Sequence, residues 1–202
     1  MTTLTQYRIA LQIFQSNRLR RDYSDLAEIP QYDLVGEFFF SEMYGPRDFT
    51  ARDAGARRLQ HILQMLPGVH VRDVEVVLEL LDLTNRLDGG LARLMFRHNT
   101  GTDFDEVTYD YFYRLADNYD DRLTQLKLVD TSLYNVFRLS RSQLLGIGLH
   151  RSRLVAKLAG IEIAHDFLVK GYDAVRNVTD IEHFAQTVYT RELARLDRIY
   201  ER

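Results

Sequence analysis

Glu162 and His165 come closest, in type and spacing, to a metal-ligand pair. On a helix, Glu-x-x-His sets a carboxylate and an imidazole on adjacent turns of one face, as carboxylate-bridged di-iron bundles do. Such a centre takes two of these motifs and two further glutamates, and this chain has one motif. Glu37 and Glu42 lie roughly 140° apart around a helix, so they do not face one metal pair. Glu75, Glu79 and Asp82 share a face, but Arg72 and Arg86 flank them, which is the pattern of a solvated stripe. His165 is also a possible haem ligand, with His61, His70, His98, His150 or His183 as partner. With no Cys-x-x-Cys-His, any haem would be non-covalent. The plainer reading puts His165 on the apolar stripe between Ile161 and Leu168, as a hydrogen-bonded core residue.

The second chemical feature is electrostatic. From Thr131 to Ile161 there is no Asp or Glu, while Arg138, Arg141, Arg151, Arg153 and Lys157 fall in this stretch. Gly146-Ile147-Gly148 lies in its middle, and Ser152 opens the next helical run. Glycines ahead of a helix N-terminus with arginines nearby can hold an anion, which makes Arg138, Arg141, Arg151 and Arg153 candidate cofactor-binding residues. No strand precedes them, so this is neither a phosphate loop nor a dinucleotide fingerprint. The alternative is a basic face paired with the acidic segment that holds Asp103, Asp105, Glu106, Asp110, Asp117, Asp120 and Asp121.

Other chemistries find less support. The chain has no cysteine, which excludes disulfides, thiolate metal sites and cysteine nucleophiles. No Gly-x-Ser-x-Gly elbow is present. A net charge of −3 argues against nucleic-acid binding. The N-terminal residues lack a basic region followed by an apolar one, and no apolar run approaches the roughly 20 residues needed to span a bilayer. The expectation is therefore a cytoplasmic protein with no membrane partner. Tyr109, Tyr111, Phe112 and Tyr113 crowd one segment, and helical geometry cannot bury all of them, which suggests a homo-oligomer or a protein partner.

Apolar spacing is helical almost throughout. Leu4, Tyr7, Leu11 and Phe14 stripe a first helix that runs to about Leu26 and stops at Ile29-Pro30. A second runs from about Gln31 to Met43. A third, capped by Asp48 or Thr50, ends near Leu66, with small residues at Ala51 and Gly55 that permit a close helix crossing. A fourth carries Val77, Leu80, Thr84, Leu87 and Leu91, with a kink or break at Gly89-Gly90. After a loop at His98–Gly101, Thr102 or Asp103 caps a fifth, with Glu106 completing a capping box. A sixth carries Leu126, Val129, Leu133 and Val136, and Gly146-Ile147-Gly148 breaks the chain. A seventh carries Ile161, Ala164, Leu168, Tyr172 and Val175. A turn at 177–180 precedes a last helix with Tyr189, Leu193, Leu196 and Tyr200. Period-2 alternation never persists. The expected fold is all-α: a single-domain bundle of about seven to eight helices over residues 1–202.

The segment Phe39-Phe40-Ser41-Glu42-Met43-Tyr44-Gly45-Pro46-Arg47-Asp48-Phe49-Thr50-Ala51-Arg52-Asp53 resembles the hallmark of a bacterial family of uncharacterised proteins. Its pattern is Phe-Phe-Leu, an acidic stretch, Tyr-Gly-Pro, Asp-Phe and then Arg-Asp, with Ser41 standing here for the Leu. Asp166-Phe167-Leu168 and Arg191-Glu192 are also similar. The resemblance spans the chain and implies an all-helical domain of unknown function, with no catalytic residue to carry over. In physical terms Phe39, Phe40, Met43 and Phe49 would fill a core, and Tyr44-Gly45-Pro46 would make a corner.

Two functions follow. One is a non-catalytic helical module that self-associates, or that binds or regulates a protein partner. The other is a bundle that holds haem, a di-iron pair or an anion, with oxidative chemistry as one use, through Glu162 and His165 or through the arginines between Arg138 and Arg153. The cofactor, if any, is unknown.

Overall fold

The computed structural model describes residues 3–43, 55 and 71–202. The Tyr44–Asp53 corner, the helix expected to end near Leu66, His61 and His70 lie outside them, as do the side chains of Phe39, Phe40 and Met43.

Among the described residues every regular element is helical. Helix α1 spans Leu4–Asp22, α2 Ser24–Ala27 and α3 Asp33–Glu37, the last continuing into a π-helical turn at Phe38–Met43. Then come α4 (Val71–Arg97), α5 (Glu106–Leu115), α6 (Tyr119–Ser140), α7 (Gln143–Arg151), α8 (Arg153–Leu158), α9 (Glu162–Arg176) and α10 (Ile181–Tyr200). The helices among the described residues outnumber the expected seven to eight because the first segment, read as one helix, is divided, and because the stretch around Gly146, read as a break, is itself a helix. Tyr23 separates α1 from α2, and Ser152 separates α7 from α8.

Helix α6 is the hub, packing against α4, α9 and α10. Its Leu128, Val129 and Leu133 meet Leu80, Leu83 and Leu87 of α4, and Val175 and Phe184 from the C-terminal pair. A second cluster joins Tyr7 and Leu11 of α1 to Leu91, Ala92 and Met95 of α4 and to Tyr109 and Phe112 of α5. Removing a fully buried side chain such as Leu91 costs about 2–5 kcal/mol. Clusters at the α7–α9 corner are smaller: Ala156, Ile161 and Ala164 in one, Leu145, Leu149 and Tyr172 in the other.

Two expected breaks are corrected. Gly89 and Gly90 lie inside α4, which runs through them without interruption. Each glycine costs a helix about 1 kcal/mol, but Leu87, Leu91 and Ala92 are buried on either side and hold the segment against its neighbours. Gly146 and Gly148 likewise lie within α7. A Cβ at Gly146 would fall 2.4 Å from the Tyr172 hydroxyl oxygen, so this glycine serves close helix packing. Tyr172 seals the contact by donating to Ser142 O at 3.0 Å. The small residue expected at Gly55 has the same use, since a Cβ there would meet Ala164 Cβ at 2.7 Å.

The start of α5 is also corrected. Its cap is Asp105, which accepts from Thr108 N at 2.8 Å, in place of Thr102 or Asp103. Asp105 is the residue with extended backbone directly before the first helical turn, and its short side chain reaches the exposed amide. The loop before it turns through Asn99 (φ 51°) and Gly101 (φ 81°).

Candidate functional site

His165 sits in the first turn of α9 and is 2% exposed. Its Nε2 lies 2.9 Å from Leu149 O and 3.1 Å from Ser152 Oγ, and Ser152 itself donates to Leu149 O at 3.0 Å. A carbonyl only accepts, so Nε2 carries the proton and donates it to Leu149. This arrangement ties the C-terminal end of α7 to α9. Nδ1 has no hydrogen bond, and Asp166 Oδ1 is 3.8 Å from it. Ser152, His165 and Asp166 thus fall in the order of a nucleophile, base and acid. With its proton directed at Leu149, Nε2 cannot take one from Ser152, so the base in this arrangement is blocked. Glu162 is half-exposed at the start of the same helix. Among the described residues no group of three or more His, Asp or Glu gathers in a way that could hold a metal ion.

The arginines of the acid-free segment are divided among different partners. Arg138 pairs with Asp73 of α4. Arg141 donates to the carbonyls of Arg176 and Val178 and lies 4.2 Å over the Phe137 ring. Arg153 is exposed and 3.7 Å from Asp166, and Arg151 is exposed with no ion pair among the described residues. The expected pairing with the acidic helix is corrected. Glu106 and Asp110 of α5 bind Arg195 of α10, each at 2.7 Å, and Asp121 pairs with Arg86. The helix order places α10 beside α5, whereas α7 and α8 pack on α9.

What remains free at the α7–α8 corner is a surface. Leu144 (71% exposed), Ile147, Leu154, Val155, Leu158 (82%) and Ile163 all face solvent, with Arg151, Arg153 and Lys157 among them. His150 anchors its inner edge. One ring nitrogen meets Gly146 O at 2.8 Å and the other Asp173 at 3.1 Å. The Gly146 carbonyl raises its pKa above the usual histidine value; burial opposes the rise, and Asp173 adds to it.

At the other end of the bundle is a chamber that sequence reasoning missed. It lies between α1, α5, α6 and α10 and has a volume of about 80 Å³. Arg18 binds Glu192 through both its terminal nitrogens, at 2.5 and 3.0 Å, and Tyr23 donates to the same carboxylate at 2.8 Å. Burial works against the Arg18 charge, but Glu192 outweighs it and keeps the guanidinium more firmly protonated than usual. Arg122, 3% exposed, donates to Asp88 at 2.9 Å and to Gln125 at 3.0 Å, and lies 4.5 Å over the Tyr113 ring. Burial pushes the Tyr109 and Tyr113 hydroxyls well above the ordinary tyrosine pKa. Arg18 Nε, Arg122 Nε and Gln15 Oε1 are buried without a hydrogen-bond partner.

The signal for this chamber was present in the sequence. Arg18 extends the Leu4–Tyr7–Leu11–Phe14 stripe by one turn, Arg122 precedes Leu126–Val129–Leu133 by one turn, and Glu192 falls between Tyr189 and Leu196. A charge at a core register of a helix marks a buried ion pair.

Among the described residues no helix is long and apolar enough to cross a membrane. No curated protein and no solved structure matches the chain. The model of one protein family, a domain of unknown function designated DUF8198, matches residues 1–202, and the chain belongs to that family.

Proposed function

We propose that this chain is a non-catalytic helical module that self-associates through the α7–α8 corner. The observation that carries this reading is the run of exposed aliphatic side chains from Leu144 to Ile163, among which the only charged residues between Leu144 and Gly160 are the cations Arg151, Arg153 and Lys157. Apolar surface of this kind marks an interaction site, and aliphatic side chains at 50–82% exposure are left in water at a cost that a partner removes.

Charge favours a second copy as the occupant. The whole chain carries −3, although the segment from Thr131 to Ile161 is purely basic, so the remaining surface is strongly acidic. That surface has an apolar stripe of its own on α5, where Val107, Tyr111 and Leu115 are exposed at successive turns beside Asp103 and Asp117. A basic apolar corner on one protomer and an acidic apolar helix on another are complementary in both respects. Used reciprocally, the two faces close a two-fold dimer.

Sedimentation velocity tests the proposal. The wild-type chain is expected to sediment as a dimer or larger at tens of micromolar, with weakening as salt is raised. Leu154→Glu with Leu158→Glu is expected to sediment as a monomer with an unchanged helical circular dichroism spectrum. A monomeric wild type, or a double variant that associates as before, would overturn it.

A further inference from the structure

We infer that self-association through the α7–α8 corner is switched by one proton on His150, the imidazolium being the form that associates. The inference rests on the self-association proposed above and adds its regulation. The geometry at the ring carries it. Nδ1 lies 2.8 Å from Gly146 O, and Nε2 lies 3.1 Å from a carboxylate oxygen of Asp173. A carbonyl and an ionised carboxylate only accept, and a neutral imidazole has a single N–H. Neutral His150 therefore satisfies one neighbour and turns a lone pair on the other. The imidazolium donates to both, and so ties the last turn of α7 to α9. A cation in the last turn of a helix also meets the free carbonyls of that end.

The charges around the ring point the same way. From α9 it faces Asp173 and, farther off, Arg176, with the Tyr172 ring edge-on at 6.3 Å. Lys170 of the same helix is taken up by Glu42. From α6, Arg141 is directed to the carbonyls of Arg176 and Val178. From α8, Arg153 lies against Asp166, and Lys157 is exposed. On α7 itself the neighbour is Arg151. The Gly146 carbonyl raises the pKa of the ring, burial opposes the rise, Asp173 adds to it and Arg176 works against it.

The ring also borders the apolar corner. Its side chain is 48% exposed, and His150 follows exposed Ile147 by three residues, which sets both on one face of α7. A proton there adds a cation beside Arg151, facing the acidic α5 stripe that the second copy presents. Its loss removes that cation, leaves the Asp173 charge without its partner at the rim, and loosens the turn that presents Ile147. All three effects oppose association with an acidic face. A reciprocal dimer uses the corner twice, so two protons enter per dimer and association weakens as pH rises through the folded value of His150.

Sedimentation velocity on the full chain tests this at pH 6.0 and pH 8.5 and matched ionic strength, for wild type, His150→Gln and His150→Arg. Wild type is expected to associate about three- to tenfold more tightly at pH 6.0, the effect of two exposed charge contacts per dimer. His150→Gln is expected to show the same affinity at both pH values to within about twofold. His150→Arg keeps a cation at both and is expected to stay tight at pH 8.5. Every other titratable group is common to the three chains, His98 beside Phe112 of α5 included, so the differences isolate His150. Equal association of wild type at the two pH values, a wild-type pH dependence kept by His150→Gln, or a loosening of His150→Arg at pH 8.5 would each overturn the inference and leave self-association standing. A chain that is monomeric at both pH values would overturn the two together.

Discussion

At the α1–α5–α6–α10 end of this bundle, arginines are inside and stack on tyrosine. At the α7–α8 corner, leucines are outside and arginines stand beside them. Buried Arg18 and Arg122 are fixed by carboxylates, and Arg122 also by the face of Tyr113, so this end gains a single arrangement of its helices from charged groups. The corner has only small clusters beneath it, around Ala164 and around Tyr172, and much of its apolar surface points away from them. The inverted interior is explained within the molecule by named partners. Among the described residues the inverted exterior has no such partners, and the proposed contact lies there.

The largest effect that distinguishes the two ends is expected at Glu192. Glu192→Ala strands the Arg18 charge in the interior and removes the Tyr23 acceptor. Denaturant unfolding is expected to show a loss of about 3–5 kcal/mol. A loss below about 1 kcal/mol would mean that the chamber is wet enough to solvate the arginine by itself.

Next in size is a glycine pair on one helix. Gly146→Ala drives a methyl group into Tyr172 and is expected to cost about 1–3 kcal/mol. Gly148→Ala enters open space and is expected to stabilise by up to about 1 kcal/mol through helix propensity. Equal effects from both would show that α7 does not rest on Tyr172.

At the corner, Leu158→Ser is expected to change the stability of the protomer by less than about 0.5 kcal/mol, because the side chain is 82% exposed. The same variant is expected to weaken self-association, read by light scattering. A large loss of protomer stability would assign Leu158 to a core instead.

The smallest effect concerns pH. The folded chain raises the pKa of His150 through Gly146 O and Asp173. Its contribution is therefore fully present below the unfolded value of about 6.5 and lost as pH rises through the folded value. Wild type is expected to lose slightly more stability than His150→Gln between pH 6 and 8, and parallel curves would remove His150 as the anchor of α7.

Helix type and order were legible in the sequence because apolar residues recur at helical spacing from Leu4 to Tyr200. The two glycine pairs misled because a glycine's local preference for a break is weaker than the packing of Leu87 and Leu91 around one pair and of Tyr172 against the other. His165 was legible as a buried, hydrogen-bonded residue on an apolar stripe, but its partners Leu149 and Ser152 come from a separate helix and a turn that no spacing rule connects to it. Arg18, Arg122 and Glu192 occupy core registers in plain view. What the linear pattern does not carry is their convergence, since their partners lie 34 and 174 positions away along the chain.

Hydrogen–deuterium exchange at several protein concentrations tests the central claim most directly. The proposed contact predicts that protection of residues 144–163 and of α5 around Val107–Leu115 rises with concentration while α4 and α6 stay constant. Protection at 144–163 that does not change with concentration would contradict it.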